Sequence, residues 1–194
     1  WNHPMNTIML DQITIAPTTS LGFEAAVGNT PMLPLERLGA HLLPKIKILA
    51  KAEWFNPSGS VKDRPALNIL RAAITEGKLR KGKRLLDSTS GNMGIAYATF
   101  AAAYGIPVTL TLPANASRER MAILRALGAE LILTDPLEGS DGAMLAARQL
   151  AQDDQGIYYY ANQYDNPANW QAHFLTTVPE IVHQTQGKIT HFVA

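Results

Sequence analysis

From Arg84 to Ala161 the chain alternates short apolar runs with longer stretches of helical periodicity. Arg84–Asp87, Val108–Leu112, Leu131–Thr134 and Ile157–Ala161 read as strands. Asn92–Tyr104, Ser117–Leu127 and Ser140–Gln152 read as helices, with Gly105 and Gly128 as stops for the first two. Short strands alternating with helices of roughly 10–15 residues imply βαβ units and a parallel sheet, hence an α/β fold. Ser117 is placed to cap its helix, but Arg120 stands where a capping box wants an acid or amide.

The flanks are less regular. Residues 1–27 carry little periodic pattern, and Val27–Leu35, with two prolines, reads as an extended irregular lead-in. Ile46–Trp54 alternates loosely and reads as a strand. Pro65 is tolerated only in a first helical turn, so a helix begins near Lys62–Arg64 and ends near Gly77. Pro167–Gln184 reads as helix with a break at Pro179, and Thr190–Ala194 as a final apolar strand.

Composition narrows the class. A chain of 194 residues, 46% hydrophobic and 17% charged, suits a soluble globular fold of one domain or two small ones. A net charge of +1 gives no reason to invoke nucleic acid or an anionic membrane. The absence of cysteine excludes disulfides, thiolate metal sites and a cysteine nucleophile, and the histidines lack metal-ligand spacing. No apolar run approaches ~18 residues, and the N-terminal stretch lacks the basic region and cleavage site of a secretory signal. A cytoplasmic enzyme is the expectation.

The candidate chemistry lies in two segments. Asn56–Ala66, NPSGSVKDRPA, puts Lys62 just past a Pro/Ser/Gly turn at a helix mouth. A lysine used covalently must give up its proton, which a sheltered site and the positive end of a helix dipole both favour. The plain alternative is a solvated lysine in a first turn. Ser88–Gly94, STSGNMG, runs strand, small residues, helix, and such a turn offers free N–H groups to an anion. The plain alternative is an ordinary N-cap made by Thr89 or Ser90. A dinucleotide or nucleotide triphosphate reading is weak, because GNMG is not GxGxxG and no Walker lysine follows. In the polar loop Asn162–Asn169, NQYDNPAN, Gln163 offers a hydrogen bond to a substrate, against the plain reading of a turn set by Asn166-Pro167. Trp54, Trp170 and Tyr158–Tyr160 read as packing residues, and Arg118–Arg120 as a solvated helix face.

Taken in order, VGNTPML (27–33), NPSGSVKDRPA, STSGNMGIA (88–96), ALGAELIL (126–133), NQYDNPAN and ITHFVA (189–194) resemble the pyridoxal-phosphate enzymes of the cysteine synthase and cystathionine β-synthase family. This is fold type II, the tryptophan synthase β-like fold, and the likeness is strongest to the O-acetylserine sulfhydrylase group, its B type above all. It spans about residues 25–194 and looks like the N-terminal three-fifths of such an enzyme. The resemblance implies parallel sheets with flanking helices in two lobes. A smaller mobile lobe would span 56–166, and 1–55 with 167–194 would form part of a larger lobe, incomplete here.

It also implies roles. Lys62 would hold pyridoxal 5'-phosphate through its amine and shuttle the Cα proton. Asn92 would hydrogen-bond the cofactor's 3-hydroxyl oxygen. Thr89, Ser90 and Gly91 with Gln163 would bind the amino acid's carboxylate, alongside Met93. The implied reaction is β-replacement, O-acetyl-L-serine and sulfide giving L-cysteine and acetate, by a homodimer that takes small-molecule substrates and a serine acetyltransferase C-terminal tail. Alternatives are another β-replacement or β-elimination on an activated serine, of cystathionine or diaminopropionate type, or a non-catalytic binding module. The family's glycine/threonine-rich phosphate loop is expected beyond Ala194. Two positions depart from the pattern: Met93 stands where threonine is usual, and Val178, in TTVPEI, where glycine is usual.

Overall fold

The computed structural model describes residues 21–42 and 46–193. Its centre is a parallel four-stranded sheet in the order β5-β4-β3-β6. The strands are β3 (Arg84–Ser88), β4 (Val108–Pro113), β5 (Glu130–Thr134) and β6 (Tyr158–Tyr160). The two central strands are buried nearly throughout, as a parallel sheet covered on both faces requires. Leu85 and Leu86 of β3 and Leu110 and Leu112 of β4 fill the two faces. Two buried threonines of β4 are satisfied: Thr111 donates to the Ala143 carbonyl at 2.7 Å, and Thr109 to Glu130 at 3.2 Å.

Helices α3 (Asp63–Thr75), α4 (Asn92–Tyr104) and α5 (Arg118–Ala126) pack together on one face. Helix α6 (Gly139–Asp153) covers the other. This follows from the connections. The chain steps outward from β3 through β4 to β5, then crosses back beneath the sheet to place β6 on the far side of β3. The reversal makes β3 and β6 a switch point, and the crevice beyond their carboxyl ends is where open α/β sheets bind ligands.

Sequence-based boundaries hold to within a residue or two for α3 to α6 and β3 to β6. Gly105, at φ 67°, stops α4 in the left-handed conformation that glycine adopts without strain. Ser117 does cap α5, accepting the Arg120 N–H at 3.4 Å, with no reciprocal side-chain bond from Arg120.

Four expectations change. The strand expected over Ile46–Trp54 shrinks to β2 (Leu49–Lys51), followed by one 3-10 turn, Glu53–Phe55; it pairs antiparallel with β1 (Met32–Pro34), away from the main sheet. The break expected at Pro179 falls earlier. Helix α7 (Pro167–Ala172) widens into a π-type turn, His173–Thr177, and Pro179 sits in the first turn of α8 (Val178–Gln184). A proline ring clashes with the carbonyl four residues back, here Leu175, and the wider turn makes room for it. Thr190–Val193 form no strand, and Val193 is 93% exposed, because no described strand lies alongside to complete a ladder. Trp54 and Trp170, expected to pack, are 59% and 60% exposed. Each leans on an aromatic neighbour, Phe55 and Phe174. The expectations for residues 1–20 and Ala194 lie outside the described residues.

Candidate active site

Lys62 is the N-cap residue of α3. The turn before it is built by Asn56, Ser58, Gly59 and Ser60. Gly59 donates to the Asn56 carbonyl at 2.8 Å with φ 83°, a conformation that calls for glycine. The Lys62 N–H donates to Ser60 Oγ at 3.2 Å. Its neighbour Asp63 is fully buried and turned back onto Ser58, taking the Ser58 N–H at 2.6 Å and the Ser58 hydroxyl. Burial raises the Asp63 carboxyl above its ordinary range against the lowering by Ser58. Asp63 thus closes the turn, and the Lys62 amine is left with no carboxylate partner among the described residues. The amine stands exposed at the mouth of a cleft, so the described residues do not supply the sheltering expected of it.

Arg64, two residues on, is buried in a polar network. Its Nε and Nη2 donate to Glu53 at 2.8 and 2.9 Å. Its two outer nitrogens donate to Glu180 at 2.6 and 2.8 Å. Lys51 joins on Glu180 at 2.6 Å, and Asn56 links Glu53 to the Gly28 N–H. The lead-in segment, the lysine turn and α8 are thereby fixed to one another.

Across the cleft lies the loop between β3 and α4. Thr89 N–H continues the sheet by donating to the Thr111 carbonyl at 3.1 Å, and Gly91 N–H donates to Thr89 Oγ1 at 3.3 Å. The N-cap of α4 is Gly91, in extended conformation with no side-chain cap. The expectation of an ordinary cap by Thr89 or Ser90 therefore does not hold. The first amides of the helix, at Asn92 and Met93, have no acceptor among the described residues and carry the positive end of a 13-residue helix. Asn92 is exposed at the cleft, while Met93, 3% exposed, both lines it and belongs to the apolar core.

Gln163 follows β6 and closes the third side. Its Nε2 donates to the Ser88 carbonyl at 2.9 Å, and Asn169 donates to its backbone carbonyl at 2.8 Å. One N–H of the side-chain amide is thus taken, and the second has no acceptor among the described residues. All seven sequence-derived residues, Lys62, Thr89, Ser90, Gly91, Asn92, Met93 and Gln163, line one cleft of about 370 Å³. Ser88 and Tyr164, from the two loops singled out in sequence, complete it together with Thr111, Pro113, Ser140 and Ala143, which were not. Two more residues that the sequence assigned elsewhere, Arg120 to a solvated helix face and Asp87 to a strand, reach the site. Arg120, on the exposed face of α5, reaches the Ser90 carbonyl at 3.3 Å. Asp87, at the end of β3, accepts the N–H of Ser88 at 2.9 Å and of Gln163 at 3.3 Å. A carboxylate at the end of the predicted strand, directly before the small-residue loop, was the available signal. Near Lys62, burial and the Lys62 and Arg64 cations lower the pKa of His173.

Among the described residues no cluster of His, Cys, Asp and Glu is arranged to hold a metal ion, and no helix is long and apolar enough to cross a membrane. The cleft chemistry is a primary amine opposite an uncapped helix N-terminus with hydroxyls and a primary amide. That set fits a carbonyl cofactor and an amino acid carboxylate.

Comparison with known proteins agrees. The profile of the family described as "Pyridoxal-phosphate dependent enzyme" matches residues 23–194. A cysteine synthase of Aquifex aeolicus is 53% identical over 169 residues, 87% of this chain and 52% of that protein. Cysteine synthase B of Salmonella typhimurium is 46% identical over 171 residues, 88% and 55% of the respective chains. The crystal structure of an Entamoeba histolytica cysteine synthase superposes with a TM-score of 0.82 at 36% identity, covering 97% of this chain and 53% of that one. An O-ureido-L-serine synthase gives 0.78 at 38% identity, over 86% and 51%. The chain spans about half the length of the curated relatives it matches.

Proposed function

This chain belongs to the pyridoxal-phosphate dependent enzyme family, of fold type II, and from that premise we propose that it serves β-replacement on O-acetyl-L-serine, giving L-cysteine and acetate with sulfide as the sulfur donor. The observation that carries the reading is the convergence of the Lys62 amine, the uncapped N-terminus of α4 and Gln163 on one cleft.

Pyridoxal phosphate, when bound, supplies an electron sink for charge developing at the amino acid's α-carbon. Lys62 and Asn92 would hold it, by the amine and by a hydrogen bond to the 3-hydroxyl oxygen. Thr89, Ser90, Gly91 and the Met93 amide, with the free N–H of Gln163, bind the substrate carboxylate. Lys62 takes the Cα proton, the electron pair left there expels acetate from the β-carbon, sulfide then adds to that carbon, and Lys62 returns the proton to Cα. Closure of the Ser88–Gly94 loop over the carboxylate excludes water.

The lobes follow the same reading. Residues 56–166 form a smaller mobile lobe, and 1–55 with 167–194 belong to the larger one. In support, all four parallel strands fall within 84–160. The whole protein would be a cytoplasmic homodimer that accepts a serine acetyltransferase C-terminal tail. A related β-replacement on another activated serine is the second reading, and Met93 in place of a hydroxyl-bearing residue favours it.

Borohydride reduction in the presence of pyridoxal phosphate, then peptide mapping, tests the assignment. The label is expected on Lys62. A label on Lys51 or Lys83, or none, overturns it.

A further inference from the structure

The β3–β6 ladder stops short of the cleft. Its last backbone bond runs from Ala161 N–H to the Leu86 carbonyl at 2.9 Å. In a parallel pair the next two would run from Ser88 N–H to the Ala161 carbonyl and from Gln163 N–H to the Ser88 carbonyl. Asn162, at φ 46°, turns the chain out of that register. Two side chains finish the ladder instead. Gln163 N–H donates to Asp87 Oδ2 at 3.3 Å, and the Ser88 carbonyl accepts Gln163 Nε2 at 2.9 Å. The second Asp87 oxygen takes the Ser88 N–H at 2.9 Å. One carboxyl therefore bridges the first residue of the loop and the glutamine that faces it.

Asp87 is 1% exposed, and no ion pair reaches it among the described residues. The groups that face it are tyrosines: Tyr97 from α4, and Tyr159 and Tyr160 from β6. The Tyr97 hydroxyl is buried beside the carboxyl. Burial pushes the Asp87 carboxyl up to about 7, against the Ser88 amide, the Tyr97 hydroxyl and the Gln163 amide, which favour its ionised form. A buried carboxylate without a cation is unfavourable for folding alone. Here it stands where two amides of a ligand site must keep their spacing.

We infer that Asp87 is a positioning residue for the amino acid carboxylate: its ionised carboxyl sets the distance between the Ser88–Gly94 loop and Gln163, so that the free Gln163 N–H and the first amides of α4 converge on one ligand. The inference rests on the reading of this cleft as an amino acid site. Protonation removes an acceptor from one of the two amides, loosening the site without touching the ligand.

The test uses the whole protein loaded with pyridoxal phosphate, with L-serine as a non-reacting probe followed by the cofactor's visible absorption. Asp87→Asn is isosteric but presents an N–H to one amide. The ratio of its Kd to that of the unaltered protein is expected near one at about pH 5.5 and about tenfold at about pH 8.5. Using the ratio cancels titration of the ligand and cofactor. A ratio near one at every pH overturns the inference, and so does a ratio raised equally at every pH, which marks a merely structural role. Hydrogen exchange of the Gln163 amide in the unaltered apoprotein supplies a second measurement. Corrected for intrinsic rate, protection should rise with pH through about 7; flat protection overturns the inference. If the unaltered protein gives no spectral response to L-serine, it is the amino acid reading that fails, and the exchange result still judges Asp87.

Discussion

Arg64 and Glu180 lie 116 positions apart and form a two-pronged ion pair, Nη1 to Oε1 at 2.6 Å and Nη2 to Oε2 at 2.8 Å. Lys51 on Oε2 and the Asn29 N–H on Oε1 complete the shell of Glu180. Glu53 takes the remaining edge of Arg64. Two cations and two carboxylates thus balance in a largely buried cluster beside the Lys62 turn. Glu180→Gln leaves Arg64 and Lys51 facing one carboxylate fewer, and we expect a loss of about 3–5 kcal/mol, read by urea denaturation. Arg64→Lys keeps the charge but loses the fork, and should also destabilise the fold. A loss under about 1 kcal/mol in both would class the network with surface pairs.

Stability should depend on pH with two opposed components. For Glu180, burial raises the carboxyl, but hydrogen bonds from Arg64 and Lys51 prevail and hold it near about 2. Its contribution is present above its ordinary 4.5 and is lost as pH falls toward 2. Asp87 has the opposite sign. Its folded value of about 7 exceeds the ordinary 3.8, so its contribution is full below 3.8 and lost as pH rises through 7. The difference corresponds to something on the order of 4 kcal/mol. Asp87→Asn should therefore melt higher than the unaltered protein at about pH 8 and lose that advantage toward about pH 4. An advantage that does not change with pH contradicts this.

The parallel sheet was legible because short runs rich in leucine and β-branched residues, such as Leu85–Leu86 and Val108–Leu112, alternate with glycine-stopped helices. The cleft was legible at Lys62, Ser88–Gly94 and Gln163, where turn residues and polar groups cluster in sequence. Asp87 and Arg120 were not. Asp87 sits inside a strand pattern, and its significance comes from Gln163, 76 residues away. Arg120 reads as a solvated helix face until α5 is placed beside Ser90. The exposure of Lys62, Trp54 and Trp170 was illegible for the same reason, since periodicity says which face of an element is apolar but not what packs against it.

Gly94 marks the closest approach of α4 to its own loop. A Cβ there would stand 2.9 Å from Thr89 Cγ2 and 3.3 Å from Leu110 Cδ1. Leu110 is fixed in the central strand, so the loop must give. Gly94→Ala should destabilise the fold by about 1–3 kcal/mol and displace Thr89 from the cleft. Melting temperature and L-serine titration, measured on the same variant, check both. Unchanged values would mean the loop has slack that its hydrogen bonds conceal.

Met93 tests how substrate choice and packing share one position. Its amide is one of the unfilled donors of α4, and its side chain lies in the apolar cluster with Leu70, Tyr97 and Phe100. Threonine there would add a hydroxyl at the mouth of the proposed carboxylate site while removing volume from the core. In the whole protein, on the proposed function, we expect Met93→Thr to lower the KM for O-acetylserine several-fold, the effect of one added hydrogen bond of ~1 kcal/mol. It should also lower the melting temperature, because a buried methionine's methylenes and sulfur are not replaced. The two readouts are independent. A lowered melting temperature with an unchanged KM would assign Met93 to packing alone and leave the backbone amides, rather than a side-chain hydroxyl, as the donors to the carboxylate.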